Sequence, residues 1–358
     1  MLGGALRSVF WVSIAVTCVL SAEITARVED RLRLGVGLLA VPDHDRDLIL
    51  HDELGIRGRP DGRFKKWRLN SYGFRGPEIT LAPPPGCVRV MVLGASETFG
   101  LYESPDHEFP AQLRTLLNEH GCFEVLNGAV PGMTLRTLIT YWNNWGRRFS
   151  PAIVAVYPTP AFYLAKNPPD YPQPPSGPPA PAPPWWTPRL IERARDVFDF
   201  PAFIQRRRVA RWLADAPPPP GGVFPFAPAD RLDQFEADLT ILTRSIDATS
   251  ARVVLLTHAT AFQFPVSAAD NDQLNAWHLM VPKATAPVLL EFERRSADAT
   301  KRVAAAQGAA LVDVAASLDG HREYFADDFI HFNDRGAQEV ARAITAQVLA
   351  DPAARRQR

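Results

Sequence analysis

Cys87-Val88-Arg89-Val90-Met91-Val92-Leu93-Gly94-Ala95-Ser96-Glu97-Thr98-Phe99-Gly100 is a short apolar run that stops at a glycine and passes into a polar turn. A run of this length, closed by Gly94, predicts a buried strand over Cys87–Leu93. Glycine lets the chain turn sharply, so Ser96 opens whatever follows the strand. Towards the C-terminus the same alternation continues. Phe109-Pro110 opens a helix with Leu113, Leu116 and Leu117 on one face. Phe123–Leu126 reads as a second strand, Leu135–Phe149 as a helix and Ala152–Tyr157 as a third strand. Residues 229–248 are helical by the spacing of Phe235, Leu239 and Leu242, and Arg252–Thr257 is a fourth strand. A helix over Pro287–Gln307, a fifth strand over Ala310–Val314 and a last helix over Gly336–Leu349 complete the pattern.

Strands that are apolar on both faces and alternate with helices imply a parallel sheet covered on both sides. The expected fold is therefore α/β, a three-layer α/β/α sandwich on a five-stranded parallel sheet, occupying residues 86–350. Four further segments flank or interrupt it. Residues 1–26 form an apolar leader, residues 27–85 a polar arm closed by Pro83–Pro85, and residues 351–358 a polar tail. Of the 34 prolines, 18 fall between Pro158 and Pro220, so the excess is local and marks a stiff insertion at 158–222. The remainder has the proline content of an ordinary globular protein.

Lys+Arg and Asp+Glu are both 39, and the formal net charge is zero. That removes the electrostatic case for a nucleic-acid partner. The charge-free run Ser8–Ala22 is short for a bilayer span, but Leu2–Ala26 approaches one. The expected partner of this segment is the membrane, as an uncleaved anchor with the main domain facing the periplasm or cell exterior. A secreted form, cleaved after a signal such as Val19-Leu20-Ser21, and a buried core helix are the other readings. Arg7 favours a cytoplasmic N-terminus, whereas Arg27, Arg31 and Arg33 pull the other way. Cys87 and Cys122 each open a strand. If those strands are neighbours, the two thiols meet at one sheet edge and either form a disulfide in an oxidising compartment or stay unpaired.

In parallel α/β sheets, ligands bind at the carboxyl ends of the strands. Three features stand there. Ser96 follows strand one, as a candidate nucleophile with a helix N-terminus behind it or simply as a helix cap. Asn127-Gly128-Ala129-Val130-Pro131-Gly132 follows strand two and offers a backbone N–H at Gly132 or merely a turn. Asp328 and His331, three residues apart, precede the last helix, close enough for the carboxylate to orient the imidazole. Asn333-Asp334 reads as the cap of that helix.

Taken in order, these features resemble the SGNH (GDSL-type) serine hydrolase family over about residues 45–350. Its Gly-Asp-Ser-x-x-x-Gly block reads Gly94-Ala95-Ser96-Glu97-Thr98-Phe99-Gly100, its second block matches at Asn127 and Gly132, and its Asp-x-x-His block at Asp328 and His331. Asn70–Glu78 also looks like the arm of a membrane-anchored bacterial subgroup. The resemblance implies an SGNH/flavodoxin-like sheet and a triad in which Ser96 attacks, His331 moves the proton and Asp328 orients it. It further implies an oxyanion hole from the N–H groups of Ser96 and Gly132. Asn127 is then a substrate-side residue, and no metal or cofactor is needed; no Cys/His cluster here has ligand spacing. Two departures stand out. Ala95 replaces the family aspartate, without consequence for the nucleophile. The third block, whose asparagine donates to the oxyanion, is replaced by Tyr157-Pro158-Thr159-Pro160, which leaves Thr159 as a shorter substitute. The insertion begins at this same point, and Trp185 and Trp186 within it are candidate substrate-covering residues of a lid; a solvated loop or an interfacial helix fits the segment as well. The expected activity is hydrolysis of an extracytoplasmic glycan or lipid-like carboxylic ester. The alternatives are an O-acyltransferase for a surface polysaccharide and a non-catalytic relative that binds glycan or protein.

Overall fold

The computed structural model describes residues 2–35, 37–165, 184, 186–190, 193, 222–267, 270, 274, 277, 281–326 and 328–350. Most of the insertion, Trp185 and the tail at 351–358 lie outside the described residues.

Strand β5 (Val88–Leu93) is buried at every position, as a strand sandwiched between two helical layers must be. It pairs in parallel with β6 (Phe123–Asn127) on one side and β7 (Ile153–Val156) on the other. β8 (Arg252–Leu256) and β9 (Ala310–Val312) extend the sheet, giving the order β6-β5-β7-β8-β9, all parallel. Helices α4 (Phe109–Asn118) and α9 (Asp334–Ala350) pack on each other. A second group forms from α5 (Leu135–Asn144), α6 (Ala229–Asp247) and α7 (Ala286–Gln307). The α/β fold expected from the alternation is thus observed, with five parallel strands.

Two element ends differ from expectation. Helix α5 stops at Asn144 and a 3-10 turn (Gly146–Phe149) takes over, since Gly146 both disfavours helix and packs against Trp142 and Tyr141. β9 stops at Val312 because the Asp313 side chain accepts a hydrogen bond from Ala316 N and starts α8 (Val314–Leu318).

Residues 27–85, the polar arm, pack onto the sheet domain. After α2 (His44–Leu48), β1 (Ile49–Asp52) pairs with β2 (Gly55–Gly58), and β3 (Arg63–Phe64) with β4 (Trp67–Arg68). Leu48, Ile49, Ile56, Trp67, Leu69 and Phe74 join the same hydrophobic core as the sheet. Asn70 organises the turn that follows. Its Oδ1 accepts from Tyr72 N and Phe74 N, and its Nδ2 donates to Pro77 O. Arg89, buried in mid-strand, is tolerated because its donors are satisfied. It pairs with Glu124 at 2.6 Å and donates to the carbonyls of Thr80, Leu81, Ala82 and Phe149, which straps residues 80–82 to the sheet.

Cys87 and Cys122 form a disulfide with Cα atoms 4.6 Å apart, at the amino ends of β5 and β6. Closing a loop over a sequence separation of 35 contributes about 3–4 kcal/mol in the chain-entropy account. At the N-terminus, α1 (Leu2–Leu34) is one unbroken helix that runs past Ala26. Its stretch Arg7–Leu34 is long and apolar enough to cross a membrane, with Val9, Phe10, Trp11 and Val12 exposed. An anchor and a signal sequence both meet that description.

Candidate active site

The carboxyl end of β5 carries the first component. A side chain at Gly94 would stand 2.0 Å from Thr98 Oγ1 and 2.9 Å from Tyr157 O, so only glycine permits this turn. The cap of the following one-turn helix α3 (Ser96–Phe99) is Ala95, not Ser96, and no side chain caps it. The Ser96 hydroxyl is therefore not spent on the helix. Among the described residues, the Ser96 N–H has no acceptor. Asn127 braces the turn from the neighbouring strand. Its Nδ2 donates to Thr98 O at 3.1 Å and its Oδ1 accepts from Ala129 N at 3.2 Å. Expected on the substrate side, Asn127 is 2% exposed and its amide is bound to backbone. Gly132 adopts φ +81°, a left-handed conformation that favours glycine. Its N–H likewise has no acceptor among the described residues.

The second component is the loop before α9. Asp328 Oδ1 accepts from Ile330 N at 3.1 Å and from His331 N at 2.9 Å, which folds the loop back on itself. Asp328 Oδ2 then accepts from His331 Nδ1 at 2.5 Å. That bond fixes the tautomer and leaves the lone pair on Nε2, which is buried and has no partner among the described residues. Burial pulls the His331 pKa down. The hydrogen bond the ring donates to Asp328 and the charges of Glu97, Asp328 and Glu103 outweigh it, and the pKa ends above the ordinary histidine value. The Tyr102 ring lies 5.0 Å from the His331 ring. Asn333, as expected, starts α9 by accepting from Arg335 N and Gly336 N.

Ser96 Oγ does not touch His331 Nε2. It donates to Glu97 Oε2 at 3.1 Å. Glu97 is fully buried, and its other oxygen accepts from the Thr159 hydroxyl at 3.0 Å and pairs with His258 Nε2 at 3.3 Å. The Thr159 hydroxyl proton, considered above for the oxyanion, is thus committed to Glu97. His258 is itself buried and meets Glu293 Oε2 through Nδ1 at 2.9 Å. The sequence reading missed Glu97, His258 and Glu293. Glu97 stands inside the decisive block, and His258 stands just beyond β8, at the very edge where strand ends collect chemistry.

An arm residue reaches the same turn. Arg75 Nη1 donates to the carbonyls of Phe99 and Gly100 at 2.6 and 2.5 Å, and Nη2 lies 2.8 Å from Glu108 Oε2 in a buried ion pair. Nearby, burial pushes the Glu103 carboxyl up to about 8. Trp186 is exposed, and the adjacent Thr187 carbonyl accepts from Arg27 of α1 at 3.0 Å.

No family model matches the chain, and no curated protein matches it. Solved structures to which it is similar include LAE5, an alpha/beta hydrolase enzyme from the metagenome of Lake Arreo, at 17% identity and a TM-score of 0.43. That match covers 73% of this chain and 94% of that one. Axe2, an acetylxylan esterase from Geobacillus stearothermophilus, is 14% identical with a TM-score of 0.44 over the same shares. TesA is 14% identical with a TM-score of 0.43, over 73% of this chain and 97% of its own. The fold assignment rests on the sheet order, not on these likenesses.

Proposed function

We propose that the protein is a membrane-anchored serine esterase of the SGNH type, acting on an extracytoplasmic glycan or lipid-like carboxylic ester. The observation that carries the reading is the Asp328–His331 pair, with a buried Nε2 lone pair that has no partner among the described residues. Support for the compartment comes from α1 and from the Cys87–Cys122 disulfide, a bond that persists in oxidising surroundings.

In the reaction, the Ser96 hydroxyl turns from Glu97 to His331. Such contacts are often long until substrate binds. Ser96 Oγ bonds to the ester carbon as its proton passes to His331 Nε2. The carbonyl oxygen takes the electron pair and accepts from the free N–H groups of Ser96 and Gly132. Collapse expels the alkoxide, which takes the proton from His331 and leaves as the alcohol. Water then adds to the acyl-serine with His331 again as base, releasing the acid and restoring Ser96. A sugar hydroxyl in place of water would make the same acyl-serine a transferase intermediate.

The test is labelling of the full-length protein with a fluorophosphonate, followed by an acyl-ester assay with and without oligosaccharide acceptors. Wild type is expected to label on Ser96 and to release free acid. Acyl product on the sugar would move the assignment to a transferase, and wild type that never labels would sink both.

The pH dependence follows from His331, which must be neutral to accept the proton. Its pKa lies above the ordinary value of about 6.5, so kcat/KM is expected to rise with pH through an inflection above that value. Asp328→Asn removes a raising influence, and the inflection should move to lower pH while the plateau falls by about 10⁴-fold. An inflection unmoved by Asp328→Asn would detach Asp328 from the base.

A further inference from the structure

Behind Ser96 lies a chain of charged groups that the mechanism above does not use. It runs from Glu97 of α3 through His258 after β8 to Glu293 of α7, and all three side chains are buried. Both ring nitrogens of His258 face carboxylate oxygens, at 2.9 and 3.3 Å. A neutral imidazole has one donor and one acceptor nitrogen, so it would set a lone pair against a carboxylate. With both carboxyls ionised, the ring between them is an imidazolium. The Tyr157 ring covers it at 5.2 Å, with its hydroxyl occupied by Ala259 N.

We propose that Glu97 is a second charge partner of the base, with His258 and Glu293 as positioning residues that keep its carboxylate ionised and aimed. Glu97 then does two things. It holds the Ser96 and Thr159 hydroxyls in one arrangement before substrate arrives, and it stabilises the imidazolium that forms on His331 when Ser96 gives up its proton. The inference rests on Ser96 and His331 being the nucleophile and base of the proposed reaction.

Electrostatics agree with this. Burial works to raise the Glu97 carboxyl, yet its hydrogen bond to His258 and the charges of His331 and His258 hold it well below the usual carboxylate range. Burial works to lower His258, yet Glu293 and Glu97 hold it well above the usual histidine range. The groups that face His331 are Asp328 from its own loop, Glu97 from α3, and Glu103 and Tyr102 from the following loop. Those acting on His258 are Glu293 and Glu97, with the Tyr157 ring packed against it and Asp319 sensing its charge. Of these, Glu97 alone bonds both the nucleophile and His258.

The experiment is the rate of fluorophosphonate labelling against pH, on full-length wild type, Glu97→Gln and His258→Gln. Removing the Glu97 charge should lower the inflection by about 0.5–1 pH unit. The plateau should fall by up to about tenfold, because a less basic His331 drives less proton transfer. His258→Gln should do the same, since a buried Glu97 without its cation takes up a proton. A merely structural role would lower the amount of labelled protein and leave the inflection in place, and that result would overturn the proposal. Wild type that does not label removes the nucleophile and the inference together, whereas wild type that labels beside variants with an unmoved inflection removes the inference alone. A second measurement needs no variant. In ¹⁵N-histidine-labelled wild type at neutral pH, His258 should carry protons on both ring nitrogens, and a neutral ring overturns the proposal.

Discussion

Ser96→Ala is expected to reduce kcat for ester hydrolysis by about 10⁴-fold or more while the protein keeps its fold. In the proposed Ser-His-Asp site, losing the nucleophile removes the covalent route, and members of such a triad act as a unit, so single losses approach the loss of all three. Residual turnover would come from the oxyanion donors and from binding. The N–H groups of Ser96 and Gly132 survive the substitution, because both are backbone. Stability should change little. Ser96 is half-buried, does not cap its helix, and makes its side-chain bond to Glu97 rather than to the core. The checks are steady-state kinetics on a p-nitrophenyl ester and thermal unfolding of the same sample. Turnover within tenfold of wild type would place the nucleophile elsewhere.

Arg75→Ala should be the most destabilising change in the arm, by about 3–5 kcal/mol. It leaves the Glu108 carboxylate buried without its cation, and an uncompensated buried charge costs that much. It also frees the carbonyls of Phe99 and Gly100, where the nucleophile helix ends. A fall in Tm of roughly 6–15 °C is expected for a domain of this size. Activity should fall too, because α3 loses the clamp at its C-terminus. Replacing both charges, Arg75→Met with Glu108→Leu, should recover much of the stability, as apolar exchange of a buried pair often does. Should Arg75→Ala melt with wild type, the clamp is not a structural tie.

These two residues show what could be read from the chain and what could not. Ser96 was legible because an apolar strand, a glycine and a polar turn are local signals, and the rule for strand ends says where such a turn lies. Asp328 and His331 were legible for the same reason, three residues apart before a periodic helix. The five parallel strands followed from alternation, and the Cys87–Cys122 bridge was open as one of two possibilities because both cysteines begin strands. Arg75 was not legible as part of the site. It stands in a polar stretch, and its burial depends on carbonyls 24 and 25 residues away. Glu97 carries no such local signal, since an acidic residue in a turn is ordinarily solvated. What buries it is His258, 161 positions further on. Thr159 was considered for its hydroxyl, but only the fold reveals that Glu97 already holds that proton.

Helix α1 has 33 residues, about 50 Å of length. A bilayer core takes up about 30 Å. Given such a span, the remainder is a rigid post, and the described piece of the insertion is held against it: Glu23 accepts from the backbone of Arg189 and Leu190, and Asp30 pairs with Arg189 at 2.7 Å. In the proposed membrane-anchored esterase, an active site fixed in this way would patrol a thin layer over the lipid instead of a volume. Esters displayed on the membrane surface would then meet it at high local concentration, while free oligomers in bulk solution would meet it rarely. Detaching the post would trade that selectivity for reach without altering a single atom of the triad.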